Sequence, residues 1–146
     1  QKLSLPEDCR VLCEPGRALC VDAESLITQV HLRKNDAVYL NDGMYGSFIE
    51  EKYKLHLPVR MVATRSFSEQ QKEFTIYGPT CDSLDIFPRT ISLPEDIREG
   101  DWIEFDRIGA YGAACRTHFN GFFADTFVAV ENNFDDSVVA NADVPD

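Results

Sequence analysis

Cys81 and Asp82 stand side by side in Gly78-Pro79-Thr80-Cys81-Asp82-Ser83-Leu84-Asp85, a thiol and a carboxylate delivered by a Gly-Pro turn. A thiol with a positive neighbour and partial exposure can act as a general acid. The carboxylate beside it can bind an ammonium group. The plainer alternative is a turn closed by an Asx cap. Asp85 lies one turn further on if a helix begins here, and otherwise faces solvent or an interface.

Three other segments carry residues of similar promise. In Glu14-Pro15-Gly16-Arg17 the glycine lets the backbone approach a ligand, and the arginine offers a planar fork suited to phosphate oxygens. Glu14 can pair with a protonated ring nitrogen; the same four residues also make an ordinary surface turn. Asn41-Asp42-Gly43-Met44-Tyr45-Gly46-Ser47-Phe48 places Tyr45 between glycines. That loop either holds the ring against a ligand or partner, or is a hairpin turn with a packed aromatic. In Ile108-Gly109-Ala110-Tyr111-Gly112 small residues leave room around Tyr111, whose hydroxyl can donate to a phosphate. Phe119 and Phe122 line a pocket or fill the core, and core is the expectation for Phe122. His31, His56 and His118 have no ligand spacing, and the five cysteines contain no C-x-x-C pair, so no metal site is expected.

These residues need elements to position them. Short alternating runs dominate the chain, at Leu26–Leu32, Ala37–Leu40, Val59–Ala63, Phe74–Tyr77 and Trp102–Phe105. Turn residues separate them, and long helical periodicity is nearly absent. The pattern predicts a mainly β domain, a Greek-key-like barrel or sandwich. Leu26, Val30 and Leu32 are expected on one face of their strand. Arg10–Cys13 reads as a short buried strand, and Ala18–Ser25 as a short helix or link. Residues 1–22 are therefore expected as the end of a preceding unit, 23–130 as the β-domain and 131–146 as a loosely held tail.

Composition narrows the partners. At 146 residues and a formal net charge of -11, the chain can bury one core and does not suit nucleic acid or an anionic membrane. No apolar run approaches the ~20 residues that span a bilayer. An odd cysteine count at this length favours a reducing, cytoplasmic setting, with three of the five cysteines expected as small buried residues. The opening residues, Gln1-Lys2-Leu3-Ser4, read like the middle of a longer protein.

Taken together, in order and spacing, these segments resemble the ornithine decarboxylase group of pyridoxal-phosphate decarboxylases with the alanine-racemase-like fold. The matching text is E-P-G-R at 14–17, N-D-G-M-Y-G-S-F at 41–48, G-P-T-C-D-S-L-D at 78–85, G-D-W at 100–102, G-A-Y-G at 109–112 and F-N-G-F at 119–122. Diaminopimelate decarboxylases of that fold usually carry glutamate after the cysteine, so the match favours the ornithine or lysine branch. The resemblance implies the C-terminal β-domain of a homodimeric enzyme, preceded by the last strand of an N-terminal β/α barrel. It implies pyridoxal 5'-phosphate as cofactor, with Glu14 at the ring nitrogen and Gly16, Arg17 and Tyr111 at the phosphate. It implies Cys81 as the proton donor to product and Asp82 as the partner of the substrate's distal amine, both serving the site of the other subunit. Tyr45 and Phe119 match pocket-lining aromatics, and Asp85 matches an interface residue. The substrate implied is a small cationic amino acid, ornithine first, with lysine or both lysine and ornithine as the alternative.

Two features qualify the match. The family's cofactor-anchoring lysine lies on the barrel, and none of the five lysines here has a matching context, so the chain alone is expected to be inactive. In eukaryotic members a Tyr-Asp pair follows Y-G-S-F, and its aspartate also contacts the distal amine. Here Tyr53 is followed by Lys54, which would repel an ammonium, so either Glu50 or Glu51 substitutes or the loop is arranged differently. A non-catalytic homologue that binds a partner protein, as antizyme inhibitors do, is the rival implied by the same resemblance.

Overall fold

A computed structural model of the chain describes residues 4–6 and 8–130; the tail expected over 131–146 lies outside them. Six strands follow one another as β1 Leu26–Lys34, β2 Ala37–Leu40, β3 Val59–Met61, β4 Gln71–Tyr77, β5 Ile86–Pro94 and β6 Trp102–Phe105. Two single-turn helices, α1 Arg17–Cys20 and α2 Gly112–Cys115, flank them, with 3-10 turns at Val21–Ala23, Ile49–Tyr53 and Phe119–Gly121. The strands form where apolar residues alternate: Val38 and Leu40, Phe74 and Ile76, Ile103 and Phe105 are all fully buried.

The strands form one sheet in the order β3-β6-β1-β2-β4-β5. All neighbours are antiparallel except β2 and β4, which run parallel with Ala37 opposite Thr75 and Tyr39 opposite Tyr77. The sheet is strongly curled. Phe105 of β6 and Phe87 of β5 are four strands apart, about 19 Å in a flat sheet, yet their ring centroids lie 5.9 Å apart. Phe48 packs on both, at 4.6 and 4.9 Å. The mainly β, barrel-like expectation therefore holds, as a sheet wrapped around one aromatic core. The outer strands β3 and β5 face each other across a shallow cleft between Val59–Met61 and Ser92–Pro94.

The structure departs from expectation in several places. Leu32 is 43 % exposed because the β1–β2 register shifts between Val30 and Leu32, and a bulge turns the following side chains over. Thr28 takes the buried place on that face instead, its hydroxyl donating to the Ile103 carbonyl. Strand β5 is absent from the sequence reading because Pro88 and Pro94 interrupt it. It tolerates them as an edge strand whose ladder skips between Thr75–Thr90 and Tyr77–Ile86. Arg10–Cys13 is not a buried strand. Val11 and Leu12 are 69 % and 74 % exposed, and no strand among the described residues lies beside them to bond or bury them.

The cysteine expectation also fails: four are exposed and Cys20 is half-buried. They lie on the segments that flank the sheet or at the tip of the loop after β4, away from the apolar interior. Phe122 is 40 % exposed and Phe119 41 %, since the 3-10 turn that begins at Phe119 and is capped by Phe122 lies outside the aromatic core. Among the described residues, no helix is long and apolar enough to cross a membrane.

Candidate functional site

The parallel pairing of β2 and β4 explains how two distant segments meet. Parallel neighbours end at the same edge of the sheet, so β2 releases Asn41–Phe48 beside the point where β4 releases Gly78–Asp85. Asp85 then ties the two loops. Its Oδ1 accepts from the Met44 amide at 2.7 Å, and its Oδ2 accepts from the Thr80 amide at 3.0 Å and the Thr80 hydroxyl at 2.7 Å. The carboxylate fits only because glycines face it: a Cβ on Gly43 or Gly78 would overlap its oxygens. At 2 % exposed, with its oxygens engaged by both loops, Asp85 is an internal staple of this chain. Asp42 organises the first loop by accepting from the Gly43 and Ser47 amides and the Ser47 hydroxyl. Burial raises its carboxyl above the ordinary range despite those donors.

The stapled loops bring Tyr45 to Asp82. The Tyr45 hydroxyl donates to Asp82 Oδ2 at 2.7 Å, and the Leu84 amide donates to Oδ1 at 2.8 Å. These bonds, the Leu84 amide foremost, hold the Asp82 carboxyl below its usual range, and the Lys52 charge adds to the effect. Asp82 is therefore anionic at neutral pH. The same bond raises the Tyr45 phenol, which stays a donor. Phe119 packs on the Tyr45 ring at 4.6 Å. Its segment is docked by Thr117, whose amide and hydroxyl both donate to the Tyr45 carbonyl, at 2.9 and 2.7 Å. Asn120, the residue after Phe119, donates its amide to Cys81 Sγ at 3.7 Å. Cys81, Asp82, Tyr45 and Phe119, read separately in the sequence, thus form one group around an exposed thiol.

A second group gathers at Arg17. Its guanidinium lies 5.3 Å from the centre of the Tyr111 ring. A Cβ on Gly16 would come 3.2 Å from the Tyr111 hydroxyl, so the glycine keeps open the space that hydroxyl faces. Tyr111 itself has φ 68°, a strained left-handed backbone for a bulky residue, and it stands at the start of α2. An arginine, a phenol and a side-chain-free backbone make a cradle that fits a phosphate. Glu14 is exposed and joins neither group within this chain.

The turn after Phe48 completes the picture. Glu50 makes a two-pronged ion pair with Arg17, Nη1 to Oε2 at 3.2 Å and Nη2 to Oε1. Glu51 is fully buried and accepts from Arg89 at 2.8 and 3.1 Å and from the Leu57 amide. Neither glutamate replaces the missing aspartate, because each carboxylate already serves a partner of its own. Lys54 sits at φ 62° as the C-cap of the Ile49–Tyr53 turn and is exposed. The ammonium that reaches the site is Lys52, 5.5 Å over the Tyr45 ring. Asn120 carried one readable signal, its place inside F-N-G-F; Glu50 was read toward the substrate's amine and not toward Arg17, and Lys52 carried no signal.

A curled six-stranded sheet with its loop chemistry at one edge defines a class. The chain belongs to the pyridoxal-dependent decarboxylase family and matches its C-terminal sheet domain over residues 19–109. It is 34 % identical over 138 residues to an ornithine decarboxylase of Schizosaccharomyces pombe, covering 85 % of this chain and 32 % of that protein. It is also 34 % identical to antizyme inhibitor 2 of Xenopus laevis, over 79 % of this chain and 29 % of that protein. Among solved structures, a lysine/ornithine decarboxylase from Vibrio vulnificus complexed with cadaverine superposes with a TM-score of 0.68 at 32 % identity, covering 88 % of this chain and 35 % of that one. The chain spans about a third of the length of these relatives.

Proposed function

We propose that this chain is the C-terminal domain of a decarboxylase acting on a basic amino acid, ornithine first and lysine second, at a site shared between two copies. The observation that carries the reading is the joining of Asp82, Tyr45, Phe119 and Cys81 into one group by two stapled loops. Asp82, anionic and half-buried, would bind the substrate's distal ammonium, with the Tyr45 hydroxyl fixing the carboxylate's orientation. Phe119 and Tyr45 would line the aliphatic stem. Cys81 Sγ, held by Asn120, would give a proton to the carbon that loses carbon dioxide.

The Gly16, Arg17 and Tyr111 cradle fits the phosphate of the family's cofactor, and Glu14 would meet its ring nitrogen. Pyridoxal phosphate, when bound, supplies an electron sink for the pair left as carbon dioxide departs. The lysine that anchors it would come from a barrel outside this chain, so the chain alone is expected to be inactive. Turnover by the isolated chain would refute that.

The test is subunit complementation in the complete enzyme. A Cys81→Ala protein and a protein lacking the cofactor-anchoring lysine are each expected to lose most of their activity. Mixed in equal amounts, they are expected to recover roughly a quarter of wild-type activity, since half the dimers carry one intact site. No recovery would mean that each site is built within one chain. Asp82→Ala is expected to raise KM for ornithine more than it lowers kcat. The ratio of kcat/KM for ornithine and lysine assigns the substrate.

A second reading, a non-catalytic protein that binds a partner protein, draws on the likeness to antizyme inhibitor 2 and on the Arg17–Glu50 pair, which leaves less of the guanidinium for phosphate. The complete protein failing to take up pyridoxal phosphate would favour it.

A further inference from the structure

We propose that the 3-10 turn Ile49–Tyr53 is a resident ligand for both half-sites: Glu50 stands in for an anion at Arg17, and Lys52 stands in for a cation at Asp82. The inference rests on the reading above for what each half-site takes.

Glu50 and Lys52 are two positions apart. In a helix with three residues per turn they point about 120° apart, so one short turn presents opposite charges in two directions. Glu50 is paired directly, and Lys52 stands beside the Tyr45–Asp82 bond. The Glu50 side chain is only 7 % exposed, and its two oxygens take both terminal nitrogens of Arg17. A phosphate arriving at Arg17 therefore finds the guanidinium neutralised and a buried carboxylate close by, which repels it. Lys52 lies over the Tyr45 ring whose hydroxyl is bonded to Asp82, and its charge acts on Asp82. A substrate ammonium approaching Asp82 meets a like charge held over the neighbouring Tyr45 ring. Both ligands are thus opposed by side chains from one turn, and this turn sets how tightly each half-site binds.

The test uses the full 146-residue chain and two probes, inorganic phosphate and putrescine. Binding is followed by NMR at the Arg17 Nε–H and the Tyr45 ring. Glu50→Gln is expected to tighten phosphate roughly three- to tenfold and leave putrescine within about twofold. Lys52→Gln is expected to tighten putrescine by a similar factor and leave phosphate unchanged. If Glu50→Gln unfolds the chain, Glu50→Met fills the same space without charge and replaces it. The proposal is overturned if either variant leaves its own ligand unchanged or weakens it, if both ligands move together, or if no protein binds either probe. Turnover by the complete enzyme is measured separately. The crossed pattern without turnover leaves this proposal standing and removes the catalytic reading; turnover without the crossed pattern does the reverse.

Discussion

Asp85→Ala is expected to cost at least about 3 kcal/mol of folding stability and to uncouple Tyr45 from Asp82. The carboxylate is buried and is the acceptor for the Met44 amide, the Thr80 amide and the Thr80 hydroxyl. Removing it strands donors at a place water reaches poorly, and each stranded donor costs about 1–3 kcal/mol. The cavity adds to this, because Gly43 and Gly78 leave the space beside the carboxylate open. Asp85→Asn is the graded control. Its amide oxygen still accepts from Met44, while its amino group faces the Thr80 amide and can bond only the hydroxyl. Urea unfolding should place Asp85→Asn between wild type and Asp85→Ala in midpoint. A loss under about 1 kcal/mol for the alanine variant would show that the loops hold their places without the staple.

Glu51→Gln is expected to cost about 3 kcal/mol at neutral pH, with the penalty shrinking in acid. Glu51 has no exposure and sits against Arg89, the Leu57 amide and His56. Burial pushes its carboxyl up, but the Arg89 bonds and charge, with the Leu57 amide, outweigh that and hold it below the ordinary value. A folded-state pKa below the unfolded one contributes stability above the unfolded value of about 4.3, and that contribution fades as pH falls through the folded value. Asp101 behaves in the same sense: burial opposes ionisation, but Arg65 holds the carboxyl low. Asp42 acts in the opposite sense, because burial raises its carboxyl and protonation relieves the cost. Wild type is therefore expected to lose stability below about pH 4.3 while Glu51→Gln loses less. Denaturant midpoints at pH 7 and pH 3 read the difference directly. A gap that stays constant between them would mean that the side chain acts through shape and not charge.

What the sequence made legible follows from what each signal measures. Alternation found five of the six strands: β2, β4 and β6 each bury two apolar residues at spacing two, β3 half-buries Val59 and Met61, and β1 keeps Leu26 and Val30 on its inner face. It lost β5, where prolines that an edge strand tolerates read as interruptions. It misplaced Leu32 because a bulge shifts the face without leaving a compositional mark. The motif text brought out Tyr45, Asp82, Cys81 and Tyr111 as candidates, and the loops gather three of them at one edge. Asp85 was seen as a residue but not as a staple, because its burial depends on glycines from two loops far apart in the chain. Glu50 and Glu51 are neighbours of one type with different tasks, one on Arg17 and one on Arg89. Local pattern cannot separate them, since the distinction arises only when the turn is set between α1, which carries Arg17, and β5, which carries Arg89.

The short hairpin between β1 and β2 has a practical consequence. Its turn, Asn35-Asp36, leaves β2 at the end opposite the one that releases Tyr45, with Asn35 already left-handed at φ 54° and both residues exposed. Four residues of strand separate the two ends, roughly 13 Å of extended chain. The β2–β4 register and the Asp85 clasp fix the other end independently. A fluorophore or affinity handle grafted at the hairpin can therefore report on this domain, and on any assembly it joins, from a post the chemistry does not touch.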